Sequence, residues 1–140
     1  MSELTIRPFT TADSLSVTAL WQQVFPDDPS RNNPPDVIRR KLKVQPELFL
    51  VGIAGGNVVA TVLGGYDGFR GWIYHLAVNP REQRQGYGRA LVEVVEKQLY
   101  EMGCPKLNLQ VRATNRATVA FYQALGYAIE DHVSLGKVLE

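Results

Sequence analysis

Apolar and polar residues change period several times along this chain, and each change marks a different kind of element. Leu4, Ile6 and Pro8 alternate with Thr5 and Arg7, the two-residue period of a short strand. Thr10 followed by Asp13 reads as a capping box that opens a helix to about Val24, with Val17, Leu20, Trp21 and Val24 on one face. Pro26 and Pro29 stop it, and residues 25–33, rich in Asp and Asn, are expected to be loop. Pro34 and Pro35 begin a second helix to about Val44, with Val37, Ile38, Lys41 and Leu42 inward or at its boundary.

A hairpin follows. Residues 48–53 are one strand, Gly55-Gly56-Asn57 the turn and 58–63 the return strand. A second turn region, 64–71, leads to a third strand over 72–78, which Asn79-Pro80 ends. The rhythm then lengthens: Leu91, Val95, Leu99 and Met102 form one stripe of an amphipathic helix that Gly103 closes. A short strand is expected over 107–111 and a helix from Asn115 to Gly126, with Ala117, Ala120, Phe121, Ala124 and Leu125 on one face. Residues 127–129 and 133–138 are weaker strand candidates. The order predicts an α/β chain, a mixed α+β sheet with helices on both faces, as one domain over 1–140. The connection from the third meander strand to the 107 strand is expected to be a right-handed parallel crossover.

Composition narrows the function classes. With 140 residues, 15 basic against 14 acidic, the formal charge is +1, and no bulk field favours nucleic acid or an anionic membrane. The apolar runs are too short to span a bilayer, and the start of the chain does not read as a signal peptide. The single Cys104 excludes an internal disulfide and suits a reducing cytoplasm. It reads as a packed residue between a helix end and a strand rather than as a reactive thiol. Arg81, Arg84, Arg89, Arg112 and Arg116 could cluster on nucleic acid, but no interleaved aromatic platform accompanies them.

The candidate chemistry centres on Gln83-Arg84-Gln85-Gly86-Tyr87-Gly88-Arg89, a basic glycine-containing turn between a strand and a helix N-terminus. The first N–H groups of a helix lack intrahelical partners and carry the positive end of its dipole, so this is an anion site. A Walker loop is absent, and a dinucleotide fingerprint fails because Leu91 stands where a small residue is required. The turn does resemble the Gln/Arg-x-x-Gly-x-Gly/Ala loop of the GCN5-related N-acetyltransferases (GNAT), which bind the pyrophosphate of acetyl-coenzyme A. The order of elements agrees with that fold, a largely antiparallel sheet with a splayed parallel pair in its middle. Local stretches such as 64–68, 103–106 and 134–137 are similar to a small bacterial subgroup of the YpeA type.

The resemblance implies a set of roles. The main chain of Leu76, Ala77 and Val78 would meet pantetheine beside a bulged strand. Gln83, Arg84, Gln85, Gly86, Tyr87, Gly88 and Arg89 would hold the pyrophosphate. Asn115 and Phe121 would contact the cofactor, and the Tyr122 hydroxyl would lie near its sulfur. From the residues alone, Asn115 also reads as a helix cap and Tyr122 as a half-buried aromatic. Acetyl-CoA would be the acyl-donor cosubstrate, with no metal, and the acceptor an amine on a small molecule or peptide. The chain would be a monomer or homodimer. Many family members place a glutamate on the central strand; here His75 is the nearest substitute as base, with Asp67, Glu130 and Asp131 as alternatives acting through water. Trp21, Phe25, Asp27, Asp28 and Arg31 would form one wall for the acceptor and 131–134 another. A coenzyme A-binding module with little catalysis is the rival reading.

Overall fold

The computed structural model describes residues 3–139. They fall into two compact units, Met1–Leu109 and Gln110–Glu140. The first holds β1 (Thr5–Pro8), α1 (Ser14–Val24), α2 (Pro34–Lys41), β2 (Phe49–Ala54), β3 (Asn57–Tyr66), β4 (Gly71–Val78), α3 (Tyr87–Glu101) and β5 (Leu107–Leu109). The strands lie in sequence order, and every neighbouring pair is antiparallel except β4 and β5, which run parallel across the α3 crossover. Among the described residues β5 is the edge of this sheet, so the parallel pair lies there.

Helices cover both faces, as the periodicities predict. On one face α1 contributes Val17, Leu20 and Trp21 to a core with Phe9, Ile38, Phe49, Leu63 and Ala77. Trp21 and Phe9 both stack on Phe49, with ring centroids 5.8 and 4.3 Å away. On the other face α3 buries Leu91, Val92, Val95 and Leu99, each removal from water being worth roughly 1.5–3 kcal/mol. Met102, expected in the same stripe, caps the helix and is 40% exposed. Two strand glycines permit this close packing. A Cβ on Gly64 would stand 2.9 Å from Val95 Cγ1, and one on Gly71 the same distance from Leu99 Cδ1 and Cys104 Sγ.

The start of α1 is fixed by charge. Asp13 is buried, accepts from the Thr10 N–H at 2.8 Å, and takes a two-pronged contact from Arg7 at 2.8 and 2.9 Å. The Arg7 guanidinium holds the Asp13 carboxyl down to about 2. Cys104 is half-buried, its thiol 3.3 Å from the Lys106 carbonyl, in keeping with a packed residue.

Several boundaries differ from the sequence expectation. Helix α2 ends at Lys41 rather than near Val44, and β5 ends at Leu109 rather than 111. In the second unit α4 (Arg116–Ala124) forms as expected, and Gly126 follows it with φ +97°. The weaker candidates at 127–129 and 133–138 are not strands. Each is short and broken by Glu130-Asp131-His132 or Gly136, and Ile129, Val133 and Leu135 are 77–90% exposed. Apolar alternation over so few residues makes a strand only where a neighbour supplies the ladder.

Candidate active site

The third meander strand contains an irregularity that decides where its side chains point. Opposite β3, Thr61 faces Ala77 and Leu63 faces Tyr74, so Val62 stands against both His75 and Leu76. This is a bulge in β4, and His75 takes a left-handed backbone with φ +49°. That conformation costs a non-glycine residue roughly 1–2 kcal/mol. Regular alternation would have sent His75 to the α3 face, opposite Tyr74. Instead its ring meets Trp21 edge-on at 4.8 Å and Phe25 at 4.8 Å on the α1 face.

A buried hydroxyl secures the bulge. Thr61 is fully buried; its Oγ1 accepts from Trp21 Nε1 at 2.8 Å and donates to the His75 carbonyl at 3.1 Å. The chain indole–hydroxyl–carbonyl satisfies all three groups and ties α1 to the bulge. Sequence reasoning missed Thr61. The available signal was a lone hydroxyl inside the apolar run Val58–Leu63.

From Tyr74 onward β4 has no second strand neighbour among the described residues. Pairing with β5 stops at Ile73↔Leu109, while β4 continues to Val78. Leu76 and Val78 are half-buried and Ala77 is buried, so this stretch offers main chain beside small apolar side chains. The Gln83 side chain reaches back to the Val78 carbonyl at 3.5 Å. The loop continues with Arg84 at φ +67° and Gly86 at φ +79°, and Gly86 is the N-cap of α3. Ala90 N–H donates to the Gly86 carbonyl, so the N–H groups of Gly88 and Arg89 precede the intrahelical ladder. Tyr87 is buried and its hydroxyl donates to Gln85 Oε1 at 3.1 Å, which shapes the loop from inside. Gln85 also donates to Glu82 at 3.1 Å, and Arg89 lies 3.5 Å from Glu93 on the exposed helix surface.

A parallel pair whose ladder ends at Ile73 and Leu109, a bulge in the strand that continues beyond it and a glycine-capped helix thus occur in one unit. The profile of the acetyltransferase (GNAT) family matches residues 15–127. The chain belongs to the GNAT acetyltransferase family. It is 43% identical over 134 residues to the acetyltransferase YE1169 of Yersinia enterocolitica, covering 96% of this chain and 94% of that one. The acetyltransferase SG1711 of Sodalis glossinidius is likewise 43% identical over 135 residues. Among solved structures, Ard1 from Thermoplasma volcanium superposes with a TM-score of 0.80 at 28% identity, covering 91% of this chain and 84% of its own. The aminoglycoside acetyltransferase AAC(6')-Iy, crystallised with a coenzyme A bisubstrate analogue, has a TM-score of 0.80 at 17% identity, a likeness of fold. This GNAT chain is an N-acetyltransferase by family, and no helix among its described residues is long and apolar enough to cross a membrane.

On the α1 side, this GNAT domain has a cleft of about 260 Å³ lined by Trp21, Gln22, Phe25, Pro26, Asp28, Pro29, Ser30, Asn32, Asn33, Pro34 and His75. Of the expected acceptor wall it includes Trp21, Phe25 and Asp28, but not Asp27 or Arg31. His75 Nε2 lies 3.5 Å from Asp28 Oδ2. Burial pushes the imidazole below its ordinary value, and Asp28 opposes that shift. His75 is therefore neutral at pH 7 and able to accept a proton. Asp67, the alternative, is used locally: its carboxylate accepts from the Phe69 and Arg70 N–H groups at 2.8 Å and closes the turn.

In the second unit, Asn115 Oδ1 accepts from the Thr118 N–H at 3.2 Å, so Asn115 is the α4 N-cap, and its amide N–H₂ carries two donors beside that acceptor. Tyr122 is 6% exposed and meets Phe121 and Tyr127 edge-on at 5.0 and 5.5 Å. Burial pushes its phenol up to about 12, which keeps it protonated.

Proposed function

We propose that this acetyltransferase takes its acetyl group from acetyl-coenzyme A and transfers it directly to a primary amine. The observation that carries the reading is the opening between β4 and β5. There β4 runs on from Ile73 to Val78 with no strand on its far side among the described residues, and leads through the 79–86 turn to the Gly86-capped start of α3. The main chain of Leu76, Ala77 and Val78 offers the amide-like pantetheine arm the hydrogen bonds that a neighbouring strand would otherwise take. Residues Gln83 to Arg89 receive the pyrophosphate, with the first-turn N–H groups and the guanidiniums of Arg84 and Arg89 as donors. Asn115 through its amide N–H₂, and Phe121 by packing, complete the cofactor contacts.

An alkylammonium with a pKa near 10.4 is neutral in only roughly one part in two thousand at pH 7, so the amine must lose a proton before attack. His75, held neutral in the acceptor cleft, takes it. The amine nitrogen then bonds to the thioester carbon, the C–S bond breaks, and the electron pair leaves on sulfur. A main-chain N–H of β4 polarises the carbonyl oxygen. Tyr122, at about 12 against a thiol near 8.5, does not surrender its proton fully; the gap is worth roughly 5 kcal/mol. It stabilises the departing thiolate by donating a hydrogen bond.

The test is a pair of measurements on the full chain. Saturating acetyl-coenzyme A should raise the melting temperature, since a ligand at a hundred times its Kd adds about 2.7 kcal/mol. Free thiol should then appear only when an amine is supplied. No thermal shift would remove the donor assignment; thiol release independent of amine would remove the acceptor assignment.

A further inference from the structure

Near the end of the chain, in the second unit, side chains separate by face. Ile129, Val133, Leu135 and Leu139 are 77–90% exposed, against 51% for Val138 on the alternate positions. Asp131 and Lys137 share the odd-numbered positions, both exposed, and neither has an ion-pair partner among the described residues. Ser134 Oγ accepts from Gln110 Nε2 at 2.6 Å, which turns the even-numbered side toward Gln110 of the same unit and the odd-numbered side to solvent. The stretch 127–139 belongs to no helix or strand, bends once at Asp131, and holds no φ in the left-handed region. What it lacks to be a strand is a ladder partner. Apolar side chains left in water along one such stretch mark an interaction surface.

We infer that this stretch is an interface with a second copy of the chain, in which two 129–139 segments pair antiparallel about a two-fold axis through Ser134. In an antiparallel pair, residues directly opposite share a face. A two-fold at Ser134 sets Ile129 opposite the second copy's Leu139, Asp131 opposite its Lys137, and Val133 opposite its Leu135. Each match is made twice, once on either side of the axis. On the even-numbered side Glu130 meets Val138 and His132 meets Gly136, so no like charges are opposed. The register is specific. A shift of two residues one way sets Lys137 opposite Val133; the other way sets it opposite Ile129, with Asp131 against Leu135. A shift of one residue sets odd positions opposite even ones and breaks the apolar face. This complementarity of the segment to itself, in charge and in apolar positions, selects a second copy over an unrelated partner.

The experiment is sedimentation velocity on the full chain at low salt, for the wild type, Asp131→Lys, Lys137→Asp and the double exchange. A two-stranded contact is small, so the wild type should dimerise weakly, between about 10 and 500 µM. Either single exchange turns both attractions into repulsions and should weaken the dimer about tenfold or more, and the double exchange should restore it to within about threefold. Ser134→Cys sets two thiols across the axis with Cα atoms about 4.5–5.5 Å apart, and should cross-link two chains on mild oxidation. His132→Cys, which lies opposite Gly136 instead of its own copy, should cross-link no more than the wild type, which carries Cys104. A wild type still monomeric at about 500 µM overturns the inference. So do single exchanges that dimerise as tightly as the wild type, a double exchange that stays monomeric, or equal cross-linking at 132 and 134. All the substituted positions are exposed, so the variants should keep the wild-type melting temperature. If a charge exchange does not, the pair of cysteine variants decides.

Discussion

Thr61 Oγ1 donates to the His75 carbonyl at 3.1 Å across the point where β4 carries one residue more than β3 opposes. The same oxygen accepts from Trp21 Nε1, so one hydroxyl joins the first helix to the left-handed residue of the bulge. Replacing it by the isosteric Thr61→Val leaves two buried polar groups without partners while changing volume little. Each such group costs about 1–3 kcal/mol, so Thr61→Val should lose roughly 2–6 kcal/mol in urea denaturation. Thr61→Ser, which keeps the hydroxyl and gives up one methyl, should lose about 1 kcal/mol. Equal losses for the two variants would show that the hydroxyl is not what holds the bulge.

The His75 environment makes a pH prediction with a definite sign. Burial favours the neutral ring, so the folded-state pKa lies below the ordinary 6.5 and the unfolded chain binds more protons in that window. The neutral form's contribution is fully present above about pH 6.5 and is lost as pH falls through the folded value. His75→Gln should therefore flatten the wild-type decline in melting temperature between pH 6.5 and 5. It should also abolish the acid limb of kcat/KM if His75 is the base, and an unchanged limb would take His75 out of the chemistry.

Asp13 provides a second, separate window. Its carboxyl is held at about 2, below the usual 3.8, so its contribution is intact above about pH 4 and lost as pH falls toward 2. Arg7 is 40% exposed, and solvent screens part of the pairing. Asp13→Asn should cost roughly 1–2 kcal/mol at neutral pH and leave acid unfolding less steep below pH 4. The slope between pH 6.5 and 5 should not change, which separates this effect from that of His75.

Elements with a repeating face were legible before the structure. Leu91, Val95 and Leu99 marked α3, and the glycine turn before it marked where the helix starts. The position of His75 was not, because a bulge reverses which face a strand residue occupies and leaves no periodic trace. The Asp28–His75 approach is equally invisible in sequence, since it joins a loop after α1 to a strand 47 positions later. At 127–138 the alternation was too brief to specify a strand.

Tyr122 is proposed as a hydrogen-bond donor to the departing thiolate, which fixes what its removal should do. Tyr122→Phe keeps the ring packed against Phe121 and Tyr127 and removes only the hydroxyl. A hydrogen bond to a charged group is worth about 1.5–3 kcal/mol, so kcat should fall by about 10- to 150-fold with little change in the acetyl-coenzyme A shift. With the phenol at about 12, the wild type should show no alkaline limb from this residue below about pH 11. An unaltered kcat in Tyr122→Phe would exclude the role.

Gly86 separates conformation from crowding at the α3 N-terminus. A Cβ there would meet nothing within 4 Å, yet φ is +79°. Substitution by alanine therefore strains the backbone by roughly 1–2 kcal/mol without any clash inside the protein. If the loop receives a pyrophosphate, the added methyl also intrudes on the ligand's approach, and the binding loss should exceed the strain alone. Gly86→Ala should thus melt only a few degrees lower by itself but lose most of the stabilisation given by acetyl-coenzyme A. Arg84→Ala removes a charge from the same loop at a position whose φ of +67° is equally unfavourable for alanine. It should weaken binding with a salt dependence smaller than that of the wild type. A wild-type shift in Gly86→Ala would place the pyrophosphate elsewhere.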